Sequence, residues 1–367
     1  MTDEQTQAAA PTEQQESVAS RTYKCASCGN FLRYDPIGKN LKCAHCGATQ
    51  ELHECPPAQE LTYTADSEVQ YEPWGATKTI RCEDCGAVTA LSEFETATKC
   101  PFCGAPHIVE LDDMAGLKPN AILPFAVDET SAYDAYKKWM KRKLFAPMRL
   151  NKLAKRSDAH GIYIPMFTFD TQAYADYTIR YGEHYTVTVG SGKNRRTETR
   201  TRWYVDSGSI ASAFDDVQIE ASRMLETKQL ATIGGFDSGN SVRYHSQYVA
   251  GYDSERYSRG LDENWQSAQD IIVSRLRAQI VARYHADVVD YVRIHPSYDQ
   301  TTYKYVLVPI WAIHYTYRKK QYGCIVNGRN RRVAGKYPLS VWKVGITSLF
   351  GAGLLALLGW LIASYVL

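Results

Sequence analysis

Four Cys-x-x-Cys pairs, arranged two and two at one repeated spacing, constrain this chain more than any other feature of its 367 residues. Cys25-Ala26-Ser27-Cys28-Gly29 stands fourteen residues before Cys43-Ala44-His45-Cys46-Gly47. Cys82-Glu83-Asp84-Cys85-Gly86 stands fourteen residues before Cys100-Pro101-Phe102-Cys103-Gly104. The glycine after each pair permits the positive φ that turns backbone amides toward sulfur, so each pair can form a tight knuckle. Two knuckles present four thiolates at tetrahedral spacing, and linked CxxC pairs read as a zinc site. The spacing therefore predicts zinc ribbons over 21–50 and 78–110. Cys25, Cys28, Cys43 and Cys46 are the expected ligands of one structural ion, and Cys82, Cys85, Cys100 and Cys103 of a second. Four protein ligands leave no open position for a reacting water, and in units this small the metal supplies much of the folding energy.

Nine of the ten cysteines precede residue 104, so cysteine serves a local chemistry and does not form a framework through the chain. Residues 1–20 are rich in Gln, Thr, Ala, Glu and Ser, without the basic start and apolar core of a secretory signal. They read as a disordered acidic leader, and thiols that are not exported stay reduced and free to bind metal. Cys55, in the expected linker 51–77, reads as an ordinary linker cysteine, and Cys324 as a small buried side chain. The overall charge of +2 conceals a division: residues 1–110 carry 16 acidic and 8 basic side chains. Over 21–110 the balance is 12 acidic to 8 basic, and four thiolates around zinc add negative charge. Ribbons that bind nucleic acid need a positive footprint for the phosphates. These ribbons suit protein docking better.

Residues 344–367 contain no charged side chain. Twenty-four residues at about 1.5 Å each exceed a bilayer's hydrocarbon thickness, which predicts a single membrane-spanning helix. Arg329, Arg331, Arg332, Lys336 and Lys343 precede it, so the expected topology is a tail anchor in the bacterial inner membrane with a cytoplasmic N-terminus. Ser348, Ala352 and Ala356 repeat at a spacing that would allow helix pairing or lipid-embedded association.

The middle region, 120–340, is expected to be an α+β scaffold with antiparallel β units. Asp128 is a candidate N-cap for a helix through Ala132, Tyr136, Trp139, Met140 and Leu144, with a basic outer face. Trp265, Ala268, Ile272, Leu276 and Ile280 form the stripe of a second helix beginning near Asp262. Ile179 to Val189 and Thr197 to Val205 alternate around Gly190-Ser191-Gly192 as a long hairpin. Tyr303 to Tyr317, Gln321 to Val326 and Arg331 to Ala334 form a meander with Asn327-Gly328 as a turn. Tyr163-Ile164-Pro165-Met166-Phe167 is echoed by Leu307-Val308-Pro309-Ile310-Trp311, which suggests two related β units.

Catalytic patterns are not found. Gly190-Ser191-Gly192-Lys193 lacks the first glycine and final hydroxyl of a phosphate loop, because Val187 and Asn194 stand there. Gly235-Phe236-Asp237-Ser238-Gly239 has its serine one place late for a nucleophile elbow. His160, His184, His245, His285, His295 and His314 are scattered, and packing or surface roles are the default for them. A non-enzymatic protein is expected.

The two CxxC units, then KKWMKRKLFAP, GIYIPMFTFD, FDDV at Phe214 to Val217, YVAGYDSERY, VLVPIWAIHYTY, VNGRNRRVAGKYPLSVWK and the apolar terminal segment occur in one order. That order, over 21–367, resembles the YdjG-like bacterial family of tail-anchored double-zinc-ribbon proteins. Their ribbons are similar to those of primosomal helicases and TFIIB-type proteins, and all eight ribbon cysteines here match the family pattern. The resemblance implies a membrane-anchored adaptor in envelope-stress or membrane maintenance. Its implied partners are phage-shock-protein-A-like, SPFH-type and TPM-domain proteins. A membrane-tethered nucleic-acid-binding protein is the alternative expectation.

Overall fold

The structure is a computed structural model, and it describes residues 23–64, 67, 78–91, 100–101, 105, 108–111, 117–147, 150, 155, 159–192, 195–222, 227–318 and 320–366. The leader 1–20 lies outside them. The first cysteine unit is a three-stranded antiparallel sheet of β1 (Leu32–Asp35), β2 (Asn40–Cys43) and β3 (Thr49–Gln50). After β4 (Leu61–Thr62), the second unit contributes β5 (Lys78–Cys82), β6 (Val88–Leu91) and β7 (Ile108–Leu111). These strands are continuous with the main sheet, because β6 pairs with a strand of the scaffold.

The scaffold begins with β8 (Ala121–Ile122) and α1 (Glu129–Lys141). Asp128 caps α1 by accepting from the Ser131 amide, and Ala132, Tyr136 and Met140 form its buried stripe, while Leu144, expected on the same helix, lies past its end and is 78% exposed. Two very long strands follow, β9 (Ala159–Val189) and β10 (Arg196–Glu220), then α2 (Thr227–Ile233), β11 (Val242–Arg243) and β12 (Asp253–Glu255). The chain continues with α3 (Leu261–Val281), β13 (Val288–Tyr317), β14 (Lys320–Asn327), β15 (Val333–Gly335) and α4 (Val341–Val366).

β9 is the spine. It pairs antiparallel with β10 on one side and with β13 on the other, and β12 joins it in parallel near Ile162 and Tyr163. From Tyr163 to Phe169 every residue is buried, as expected of a central strand covered on both faces. From Thr171 to Ile179 burial alternates, so Ala173, Ala175, Tyr177 and Ile179 face inward and Tyr174 and Asp176 outward. α3 covers that inward face with Trp265, Ala268, Ile272, Leu276 and Ile280, the stripe expected from the sequence. Trp265 meets Phe169 at 5.3 Å and Tyr298 at 5.2 Å between ring centroids. Beyond Gly182 the cover ends, and none of the described side chains from 183 to 202 is buried.

Two expectations are corrected. An α+β scaffold is not what forms: the described residues are mostly β, with four α-helices, because β9, β10 and β13 run for 31, 25 and 30 residues. Pro165, Pro296 and Pro309 lie inside these strands, and the bulges at Phe214/Val217 and Asp299/Thr302 absorb the accumulated misfit. The echoed motifs are paired neighbours in one sheet, with Tyr163 opposite Pro309 and Pro165 opposite Leu307.

The membrane-spanning helix is the second correction. α4 is helical over the expected segment, yet among the described residues no helix is long and apolar enough to cross a membrane. Lys343 lies within its first turn, tied to the Leu144 and Ala146 carbonyls at 3.0 and 2.8 Å. Toward the C-terminus the side chains of Leu358, Leu361, Ile362, Ala363, Tyr365, Val366 and Leu367 lie outside the described residues. The transmembrane, tail-anchored and inner-membrane expectations are withdrawn on that finding, and helix pairing in lipid falls with them.

Candidate metal centres

The first unit shows how local chemistry builds a site. Cys25 accepts from the Gly29 amide at 2.8 Å and Cys43 from the Gly47 amide at 3.1 Å, closing a knuckle turn at each pair. Gly29 and Gly47 have φ of 72° and 76°, a left-handed conformation that glycine adopts without strain. The amides inside each turn point at sulfur. Those of Ser27 and Cys28 lower the Cys25 thiol to about 6, and those of Cys46 and His45 lower Cys43. Cys28 is pushed up to about 12: the Asn30 amide opposes the rise, and the crowding Cys46 and Cys43 thiols produce it. Four thiols at such short range compete for protons in a way that a cation would relieve.

The sulfurs face one another. Cys25 Sγ lies 3.5 Å from Cys46 Sγ, and Cys28 Sγ lies 3.6 Å from Cys43 Sγ. A metal bonded to sulfur at about 2.3 Å in a tetrahedron has a sulfur–sulfur edge of about 3.8 Å, close to this spacing. All four donor atoms lie within 4.8 Å of one another, with Cys25 and Cys43 buried and Cys28 and Cys46 exposed, so the group could hold a metal ion. The second unit repeats the design. Gly86 donates to the Cys82 carbonyl at 2.8 Å with φ 77°, and Cys85 Sγ is 3.6 Å from Cys100 Sγ. Cys82, Cys85 and Cys100 form a second metal-competent group. Cys103, the expected fourth ligand, lies outside the described residues.

The first unit does not hang free. Tyr34, 3% exposed, donates its hydroxyl to the Phe125 carbonyl at 3.3 Å, and its own carbonyl accepts from the Tyr252 hydroxyl at 3.2 Å. Arg33 lies over the Tyr252 ring at 4.5 Å and the Trp311 ring at 5.7 Å. Tyr252 stacks on Phe125 at 4.4 Å. The sheet holding Cys43 is thereby fixed to the aromatic centre of the scaffold.

Sequence reasoning missed two groupings. His53 and His245 lie 5.6 Å apart between ring centroids, beside Gln247, which donates to the His53 carbonyl and at 3.7 Å to Cys55 Sγ. Among the six histidines singled out in the sequence, only His245 joins such a pair within the described residues. The other grouping surrounds Lys304, whose side chain is 8% exposed and whose ammonium meets Glu60 at 3.2 Å and Asp216 at 3.1 Å. Asp170 accepts from the Asp216 amide at 2.7 Å, and burial together with Glu60 raises its carboxyl to about 7. Asp170, Asp215 and Asp216 stand close enough to share a cation, but Lys304 already supplies a positive charge there. No local pattern signals this group, because its members are far apart in the sequence. Cys324 is buried as expected, and its thiol is pushed up by that burial.

The chain is similar to YdjG of Bacillus subtilis (strain 168), a protein described as uncharacterized: 25% of residues are identical over 325 aligned positions, spanning 88% of this chain and 92% of that one. The alignment extends over most of both chains, so the YdjG-like resemblance concerns the scaffold as well as the cysteine units. No protein-family model matches the chain. No solved structure matches it either.

Proposed function

We propose that this protein is a non-enzymatic zinc-ribbon adaptor, in which two structural zinc ions stiffen surfaces that dock other proteins. Cys25, Cys28, Cys43 and Cys46 hold one ion, and Cys82, Cys85, Cys100 and Cys103 the other. The observation that carries this reading is the inward-facing quartet of sulfurs in the first unit, within 4.8 Å of one another. Four soft thiolates in a closed tetrahedron suit zinc, and with no open position the ion organises structure without activating water.

The docking role rests on what the first ribbon leaves outside. Phe31 and Ile37 are 47% and 67% exposed, in a unit whose residues 21–50 carry five basic side chains and one acidic. Exposed apolar side chains among basic ones fit a partner with an apolar pocket and an acidic rim. The resemblance makes phage-shock-protein-A-like, SPFH-type and TPM-domain proteins the partners to test first. Each would be titrated in purified form against the zinc-loaded full chain and against its Phe31→Ser/Ile37→Ser variant. The adaptor reading expects one of them to bind, and binding to weaken by about ten-fold or more in the variant, the size of a modest hot spot. Equal affinity for both chains would remove the first ribbon as the docking surface.

A further inference from the structure

The end of the β9–β10 hairpin is built unlike the rest of the sheet. Its register runs from Arg202 opposite Glu183 to Arg196 opposite Val189, two strands wide, because β13 leaves β9 at Gly182. Strand alternation puts Arg196, Arg200 and Arg202 on one face beside Tyr185. The opposite face is a ladder of Thr186, Thr188, Thr197, Thr199 and Thr201. Among the described residues from 183 to 202, four arginines, including Arg195, stand against Glu183 and Glu198. Glu198 is shared by Arg196 at 2.7 Å and Arg200 at 3.5 Å, so the face keeps a positive excess. Arg202 lies over the Tyr185 ring at 5.2 Å, which fixes its direction.

We propose that this projecting end binds duplex DNA, seated as a two-stranded ribbon in the major groove with its arginines on the flanking phosphates. Strands about 4.8 Å apart, with their side chains, make a ribbon about 10 Å across, and the major groove is about 12 Å wide. The chemistry favours this occupant over the two other polyanions. An acidic protein surface would need an aromatic or aliphatic anchor to bury on binding, and Tyr185, 39% exposed, already has Arg202 over its ring. A lipid surface would need an apolar tip to insert, and the turn here is Gly190-Ser191-Gly192. Arginines supply phosphate contacts and threonine hydroxyls supply hydrogen bonds to groove edges. This surface is separate from the cysteine units, so the inference goes beyond the adaptor reading and does not depend on it.

The test is fluorescence anisotropy of a labelled duplex of about 24 base pairs with the full chain, between about 50 and 200 mM salt. Four phosphate contacts give a log–log slope of about −3.6, an affinity loss of about 150-fold across that range. Arg196→Ser/Arg200→Ser/Arg202→Ser leaves one contact and a slope of about −0.9. Arg200→Lys/Arg202→Lys keeps the charge and should retain most of the slope, which separates charge loss from misfolding. Poly-glutamate and phosphatidylglycerol vesicles serve as the competing polyanions. Failure to bind duplex at the lowest salt would overturn the proposal, as would a slope unchanged by the triple variant. Tighter binding of either competing polyanion than of duplex would also overturn it, and would assign the hairpin to an acidic protein or a lipid surface.

Discussion

Replacing Tyr34 by Ala should destabilise the scaffold as well as the ribbon that contains it. Tyr34 is 3% exposed and bridges two carbonyl–hydroxyl contacts, to Phe125 and from Tyr252. Its ring also packs edge-on against Tyr248 at 5.5 Å. Truncating a buried aromatic side chain costs about 3–5 kcal/mol in lost transfer energy and cavity formation. Loss of the hydroxyl alone, in Tyr34→Phe, should cost about 0.5–1.5 kcal/mol. Ile37→Ala, two residues beyond the strand's buried contacts and 67% exposed, should cost about 0.5 kcal/mol or less. Urea unfolding followed by tryptophan fluorescence reads the scaffold directly, because the strongly buried Trp265 and Trp311 lie in it. With zinc saturating, the expected order of midpoints is wild type, then Ile37→Ala and Tyr34→Phe close below, then Tyr34→Ala far below. If Tyr34→Ala left the tryptophan transition unmoved while loosening the ribbon, the first unit would be an independent bead, and the packing argument would fail.

Two further perturbations address the scaffold. A Cβ at Gly161 would lie 2.5 Å from Tyr252 Cδ1 and 3.3 Å from Trp311 Cζ3, so Gly161→Ala should lower the urea midpoint by an amount equivalent to about 1–3 kcal/mol, and a neutral result would mean that the aromatic centre yields freely. Burial and Glu60 hold the Asp170 carboxyl near 7, above its unfolded value of about 3.9, so its contribution to stability is complete below about pH 4 and is lost as pH rises to about 7. Glu60, held below its ordinary value by its hydrogen bonds to Asp170, Thr302 and Lys304 against the opposing effect of burial, titrates in a lower window. Asp170→Asn should therefore flatten the decline of Tm between pH 4 and 7, and a decline identical to wild type would show that Asp170 does not carry it.

What was legible in the sequence was local. Asp128 capping α1, the Trp265-to-Ile280 stripe of α3 and the glycines after the first three CxxC pairs all act within a few residues, where one conformation satisfies the backbone. The segments 179–189, 197–205 and 303–317 were legible as strands, but not their continuation to 31, 25 and 30 residues, which depends on pairing with distant neighbours. The FDDV segment looked like one more family motif, but its Asp216, at φ 50°, forms the bulge that lets β10 continue and brings a carboxylate to Lys304. Likewise nothing near Arg33 or Tyr34 in the sequence indicates Trp311 or Tyr252 as neighbours, since 218 residues separate Tyr34 from Tyr252. The terminal apolar run was plain as composition, but among the described residues it does not amount to a helix able to cross a membrane. Pattern recognises a segment's preference, whereas its partners come from the pairing of distant strands.

The most direct test of the account is the metal content of the intact chain, purified under reducing conditions and measured by plasma mass spectrometry beside Cys25→Ser/Cys28→Ser. Two zinc ions per wild-type chain and one per variant chain are predicted. A wild-type chain that carries no zinc when refolded with excess metal, with its thiols reduced, would contradict it.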